Sequence, residues 1–181
     1  MASRSGHLEF KEQSSRRIVL HIHPEADFRE ILTVLHDIRL PPFVANAENV
    51  KYAVLELLSN SLRAHRERRI DRRISTVFLT RDFRLEVTVK DFGGGFDPSS
   101  LPYDLRADTA EVDHRSEAFQ EYQRKNHYLR FGMGLLVARK TFQDFALTFF
   151  DEREEPVTWG SGPVCGTLIT CGTEAAGSGG S

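Results

Sequence analysis

The stretch Tyr52–His65, YAVLELLSNSLRAH, is leucine-rich and has the spacing of a buried helix, yet Glu56 and Asn60 stand in its middle. Val50, Val54, Leu57, Leu58 and Ser61 fall on one core-facing stripe when residues are placed about 100° apart. Glu56 and Asn60 lie one turn apart at the edge of that stripe, and Arg63 falls near the same line. An acid or an amide is costly to bury without partners. This edge is therefore either a half-exposed helix flank or a ligand surface. A carboxylate beside an amide oxygen suits a hard cation such as Mg²⁺, or a division of labour between base and metal.

The helix is predicted from Ala47 to Arg68, with Asn46 as its cap. Before it, Arg16–Ile22 reads as a strand. Pro24 opens an amphipathic segment with Phe28, Ile31, Leu35 and Ile38 at helical spacing, and Pro41 ends it. After it, Ser75–Asp82 and Phe83–Asp91 read as two strands with a turn near Arg81 and Asp82. The segment Asp97–Arg130 is polar, charged and long enough to be a functional loop or lid, with a short helix over Ser116–Lys125. A Gly-rich approach leads into a third helix (FGMGLLVARKTFQDF, 131–145). ALTFFDE (146–152) and VCGTLITC (164–171) form a closing antiparallel pair. The order strand, helix, helix, two strands, loop, helix, two strands implies an α+β two-layer sandwich. Its helices cover one face of a mostly antiparallel sheet.

With 181 residues, 40% hydrophobic and 28% charged, the chain suits one domain at 16–171. An N-terminal extension is expected over 1–15 and a flexible tail over 172–181. The net charge of -2 gives no sign of a general nucleic-acid or membrane surface. The basic run Arg63–Arg73 reads as a solvated helix end and loop, with contact to an acidic partner as the second reading. The N-terminus lacks the apolar core of a signal peptide, and no apolar run reaches membrane-spanning length. A cytoplasmic protein is expected. Cys165 and Cys171 are six positions apart in one strand, roughly 20 Å when extended. A disulfide needs Cα atoms within about 7 Å, so both are read as free thiols.

Two further motifs bear on the helix edge. In DFGGGF, Asp91 shares the parity of Leu85, Val87 and Val89, so it points to the covered face of the sheet and needs a hydrogen-bond donor. Gly93, Gly94 and Gly95 then permit positive φ and close backbone approach. In RFGMGLLVARK, Gly132 and Gly134 precede a helix whose free N–H groups suit an anion. Each motif alone also has a plain structural reading, as a turn after a strand or a Gly-rich helix start.

Together they run E-x-x-x-N, D-x-G-x-G, G-x-G-L, and with GTLIT (166–170) they resemble the GHKL ATPase superfamily over about Arg16 to Thr170. The resemblance implies a Bergerat-type sandwich that binds ATP and Mg²⁺, with a lid at about 97–131. It implies Glu56 as general base, Asn60 as Mg²⁺ ligand and Asp91 as acceptor for the adenine amino group. Gly93 and Gly95 would shape the pocket floor, and Thr167 would support the adenine site. Gly132, Met133 and Gly134, followed by Leu135 in the same motif, would face the phosphates. Arg63 and Arg130 are further candidate phosphate contacts.

Within the superfamily, the compact chain with Glu56 and RFGMGL is most similar to bacterial anti-sigma-factor serine/threonine kinases. That resemblance implies phosphorylation of a STAS-domain antagonist, sequestration of a sigma factor and homodimerisation. A nucleotide-gated binding protein without catalysis and a detached histidine-kinase catalytic domain are the alternatives. Histidine kinases usually carry Asn where Glu56 stands. The long charged lid and Ser61, in place of the usual Ala after Asn60, depart from the pattern.

Overall fold

The computed structural model describes residues 6–105, 115–125 and 133–175. A small hairpin, β1 (Leu8–Phe10) and β2 (Gln13–Ser15), precedes β3 (Arg17–Ile22), α1 (Phe28–Asp37) and α2 (Ala47–Arg68). Then follow β4 (Ile74–Arg81), β5 (Arg84–Asp91), α3 (Glu117–Lys125), α4 (Met133–Thr141), β6 (Asp144–Phe150), β7 (Pro156–Val157) and β8 (Gly166–Glu174). The strands β3-β4-β5-β8-β6-β7 form one sheet in which every pairing is antiparallel.

The sheet is two-faced because its strands alternate. On β5, Leu85, Val87, Val89 and Asp91 are buried under the helices, while Glu86, Thr88 and Lys90 face the other side. Helix α2 supplies most of the covering layer through Val50, Ala53, Val54, Leu57, Leu58, Leu62 and His65. Burying each Leu or Val side chain contributes about 1.5–3 kcal/mol, so this stripe fixes the helix on the sheet. Arg69 closes α2 in the left-handed conformation (φ 55°), where its N–H donates to the Arg66 and His65 carbonyls.

Three boundaries and one helix cap differ from the sequence reading. Helix α1 begins at Phe28, not Pro24, because Asp27 and Glu30 form a reciprocal capping box. Asn46 precedes α2 as expected, but its side chain makes no capping hydrogen bond. The β4–β5 turn sits at Asp82 and Phe83, both at positive φ (45° and 61°), the geometry of a two-residue hairpin. Strand β8 runs to Glu174, three positions past the expected end of the domain. Arg84 there pairs with both Glu174 (2.9 Å) and Asp144 (2.7 Å).

The N-terminal hairpin is part of the fold. Leu8 is fully buried, and Glu9 bridges to Arg39 through reciprocal backbone hydrogen bonds of 3.0 and 2.8 Å. Leu101, Tyr103 and Phe119 of the expected lid are buried in the main core, with Tyr103 and Phe119 stacked at 6.5 Å.

Candidate functional site

The register of the two central strands builds the site. Asp91, last residue of β5, stands directly opposite Thr167 of β8. A one-residue slip would turn both side chains to the other face. Helix α2 crosses above them and brings Ser61 to the same point. Asp91 Oδ2 accepts hydrogen bonds from Ser61 Oγ (2.9 Å) and Thr167 Oγ1 (2.5 Å). Its Oδ1 accepts from the Gly93 backbone N–H at 2.8 Å. Asp91, Ser61 and Thr167 are each no more than 5% exposed. The donors that Asp91 requires are thus already partly supplied by the protein.

The glycine turn after Asp91 is set by packing as well as torsion. Gly94 and Gly95 take φ of 73° and 68°, values that L-residues rarely adopt. At Gly93 a Cβ would stand 2.6 Å from Ala64 Cβ, so α2 rests directly on the turn. One helical turn beyond Ser61, the buried His65 accepts the Phe92 backbone N–H at Nε2 (2.9 Å). Burial lowers the pKa of this imidazole, only partly opposed by the Asp91 charge and the Ile70 and Arg72 carbonyls. His65 therefore acts as a neutral acceptor that ties the end of β5 to α2.

A cavity of about 180 Å³ opens beside this network. Of the sequence-predicted residues, Asn60, Arg63, Asp91, Gly95, Leu135 and Thr167 line it, joined by Ser61 and Arg68. It is smaller than the roughly 300–1,000 Å³ of sites that enclose a whole drug-sized ligand. That volume suits a heterocycle, with the rest of a larger ligand continuing past Asn60.

Glu56 and Gly134 meet just beyond the cavity. Helix α4 approaches α2 so closely that a Cβ on Gly134 would lie 2.6 Å from Asn60 Nδ2. It would also lie 3.2 Å from both the Glu56 carbonyl oxygen and Glu56 Cβ. Met133 and Gly134 are the first described residues of α4. Arg130 and Gly132 lie outside the described residues, as do parts of the expected lid.

Arg63 Nη2 donates to Asn60 Oδ1 at 2.9 Å. Among the described residues no group of three or more His, Cys, Asp or Glu side chains could hold a metal by itself. Mg²⁺ typically keeps several waters and takes one or two protein ligands plus phosphate oxygens. Arg63 occupies one lone pair of Asn60 Oδ1; the other, with Glu56 one turn away, would hold a cation that arrives with a phosphorylated ligand, whose phosphates would balance the added charge.

Sequence reasoning gave no specific role to three contributors. Ser61 stands out in the sequence only as a departure from the family pattern, although a polar residue on the core stripe must find a partner. His65 carried the same signal one turn later. Gly166 has no side-chain chemistry to betray it; a Cβ there would come within 2.0 Å of the Asp91 carbonyl oxygen.

A helix-covered antiparallel sheet, with a buried carboxylate at the end of a central strand and a glycine turn beside it, defines a small-molecule-binding α+β domain. The profile of the histidine kinase-, DNA gyrase B- and HSP90-like ATPases matches residues 45–171. The chain belongs to this family and carries its ATP-binding domain. The matched span starts just before α2, so β1–β3 and α1 precede it, although β3 pairs with β4 in the same sheet. No curated protein matches the chain. No helix among the described residues is long and apolar enough to cross a membrane.

Proposed function

We propose that the cavity beside Asp91 takes the adenine of ATP, and that the chain is an anti-sigma-factor-type serine/threonine kinase acting on a STAS-domain antagonist. The observation that carries the nucleotide reading is the buried Asp91 carboxylate lining a heterocycle-sized cavity. The kinase reading rests on Glu56 and on the sequence resemblance.

In this mechanism Asp91 Oδ1 accepts the amino group of the base, and Thr167 holds the carboxylate in place. The triphosphate extends toward Asn60, Arg63 and the first turn of α4, whose N–H groups at Met133 and Gly134 suit an anion. Mg²⁺ bound with the nucleotide would supply charge neutralisation there. Glu56 takes the proton of the attacking hydroxyl, a role that an amide could not fill. Positioning and electrostatics carry most of the acceleration in phosphoryl transfer.

The test is transfer of labelled γ-phosphate to a cognate STAS-domain protein. A positioned base contributes about 10²–10⁴-fold, so Glu56→Ala lowers transfer by that factor while ATP affinity stays within a few-fold. A chain that binds ATP yet labels no cognate STAS protein contradicts the kinase reading.

A further inference from the structure

We propose that Ser61 is a specificity-determining residue that sets which purine the cavity accepts, by controlling how many lone pairs Asp91 has left to offer. The inference rests on the reading of the cavity as an adenine site.

A carboxylate accepts at about four lone-pair positions, two on each oxygen. On Oδ2 both are taken, by Ser61 Oγ and Thr167 Oγ1. On Oδ1 one is taken by the Gly93 N–H. Among the described residues, one acceptor position remains, and it lies on a single oxygen. The edge of adenine meets it with one N–H of its 6-amino group. Guanine presents two adjacent donors, N1–H and the 2-amino N–H, whose spacing matches the two oxygens of a carboxylate. That bidentate pairing needs a vacant position on each oxygen. With Oδ2 saturated, guanine would bury one donor without an acceptor, which is heavily penalised in an enclosed site.

Thr167 alone leaves one position on Oδ2 open. Ser61 fills it. An alanine at 61 keeps the helix and the packing stripe but returns that position to the cavity. The change therefore acts on selectivity as well as affinity, which a purely structural role would not do.

The experiment titrates the full chain with ATP and GTP, each with Mg²⁺, for wild type and Ser61→Ala, and follows thermal unfolding of both. The expected result is that wild type prefers ATP and that the substitution narrows the ATP-to-GTP affinity ratio by about tenfold, a hydrogen bond to a charged group. Thr167→Val vacates the other position on the same oxygen and must narrow the ratio too, which keeps the inference testable if Ser61→Ala folds poorly. Equal losses for both nucleotides, or an unchanged ratio in a chain that binds ATP, overturn the assignment to Ser61 alone. Binding of neither nucleotide by wild type overturns the adenine reading and this inference with it.

Discussion

Substituting Gly134 by alanine probes the contact between α4 and α2, and its cost can be worked from distances. The new methyl would stand 2.6 Å from Asn60 Nδ2 and 3.2 Å from the Glu56 carbonyl oxygen, where unstrained carbon contacts lie at about 3.5–4.0 Å. The Glu56 carbonyl belongs to the backbone of α2, which the core stripe holds on the sheet. The Asn60 amide is the end of a side chain and can turn away, but doing so breaks its 2.9 Å bond from Arg63. Overpacking costs about 1–3 kcal/mol, and exchanging Gly for Ala in a helix returns up to about 1 kcal/mol. The net loss is about 0–2 kcal/mol. In a chain of this size that lowers Tm by no more than about 8 °C. If Asn60 holds the cation as proposed, displacing it removes a ligand oxygen from the phosphate end, and MgATP affinity should fall by about tenfold or more. Calorimetric unfolding and titration with ATP, each with and without Mg²⁺, measure both effects. A raised Tm with unchanged MgATP affinity would refute the reasoning, because α4 would then not be seated on Glu56 and Asn60.

Two further outcomes follow from titratable groups. The folded-state pKa of His65 is lowered, so its contribution to stability is complete above the ordinary value of 6.5 and is lost as pH falls through the depressed folded value. Urea unfolding below pH 6.5 should show this slope in wild type and lose it in His65→Gln; identical slopes would contradict the neutral-acceptor role. Burial pushes the Cys171 thiol up to about 12, while Cys165 is half-buried. A thiol reagent at pH 8 should therefore modify Cys165 alone in the native chain and both in denaturant. Rapid native labelling of Cys171 would contradict its placement.

Much of the fold is legible in the sequence where a pattern repeats. Helix α2 was bounded correctly because its apolar stripe runs for six turns and ends in an arginine cluster. Strand parity placed Asp91 on the covered face for the same reason. Short-range features were harder to read. The three-residue strands of the N-terminal hairpin are too brief for alternation to register, and its turn at Lys11 and Glu12 has two non-glycine residues at positive φ. The capping box of α1 was present as Asp27 and Glu30 but was outweighed by Pro24. The extra residues of β8 depend on Arg84, which lies ninety positions away from Glu174.

At the site, the sequence brought forward residues with recognisable chemistry and missed those whose role depends on neighbours. Asn60, Asp91 and Thr167 line one cavity. The environment of Asp91 does not follow from its own motif: three protein donors already hold it, and one of them is the serine that stands in place of the usual alanine. Glycines divide in the same way. The positive φ of Gly94 and Gly95 is a local property that DFGGGF announces, whereas the need for Gly134 arises only when two helices meet.

The most direct measurement of the central claim is calorimetric titration of wild type and Asp91→Asn with MgATP. The substitution keeps the shape of the side chain but turns one acceptor into a donor facing groups that themselves donate. Wild type should bind one ATP per chain, and Asp91→Asn should bind at least tenfold more weakly while remaining folded. Equal affinity in the two proteins would contradict the placement of the base beside Asp91.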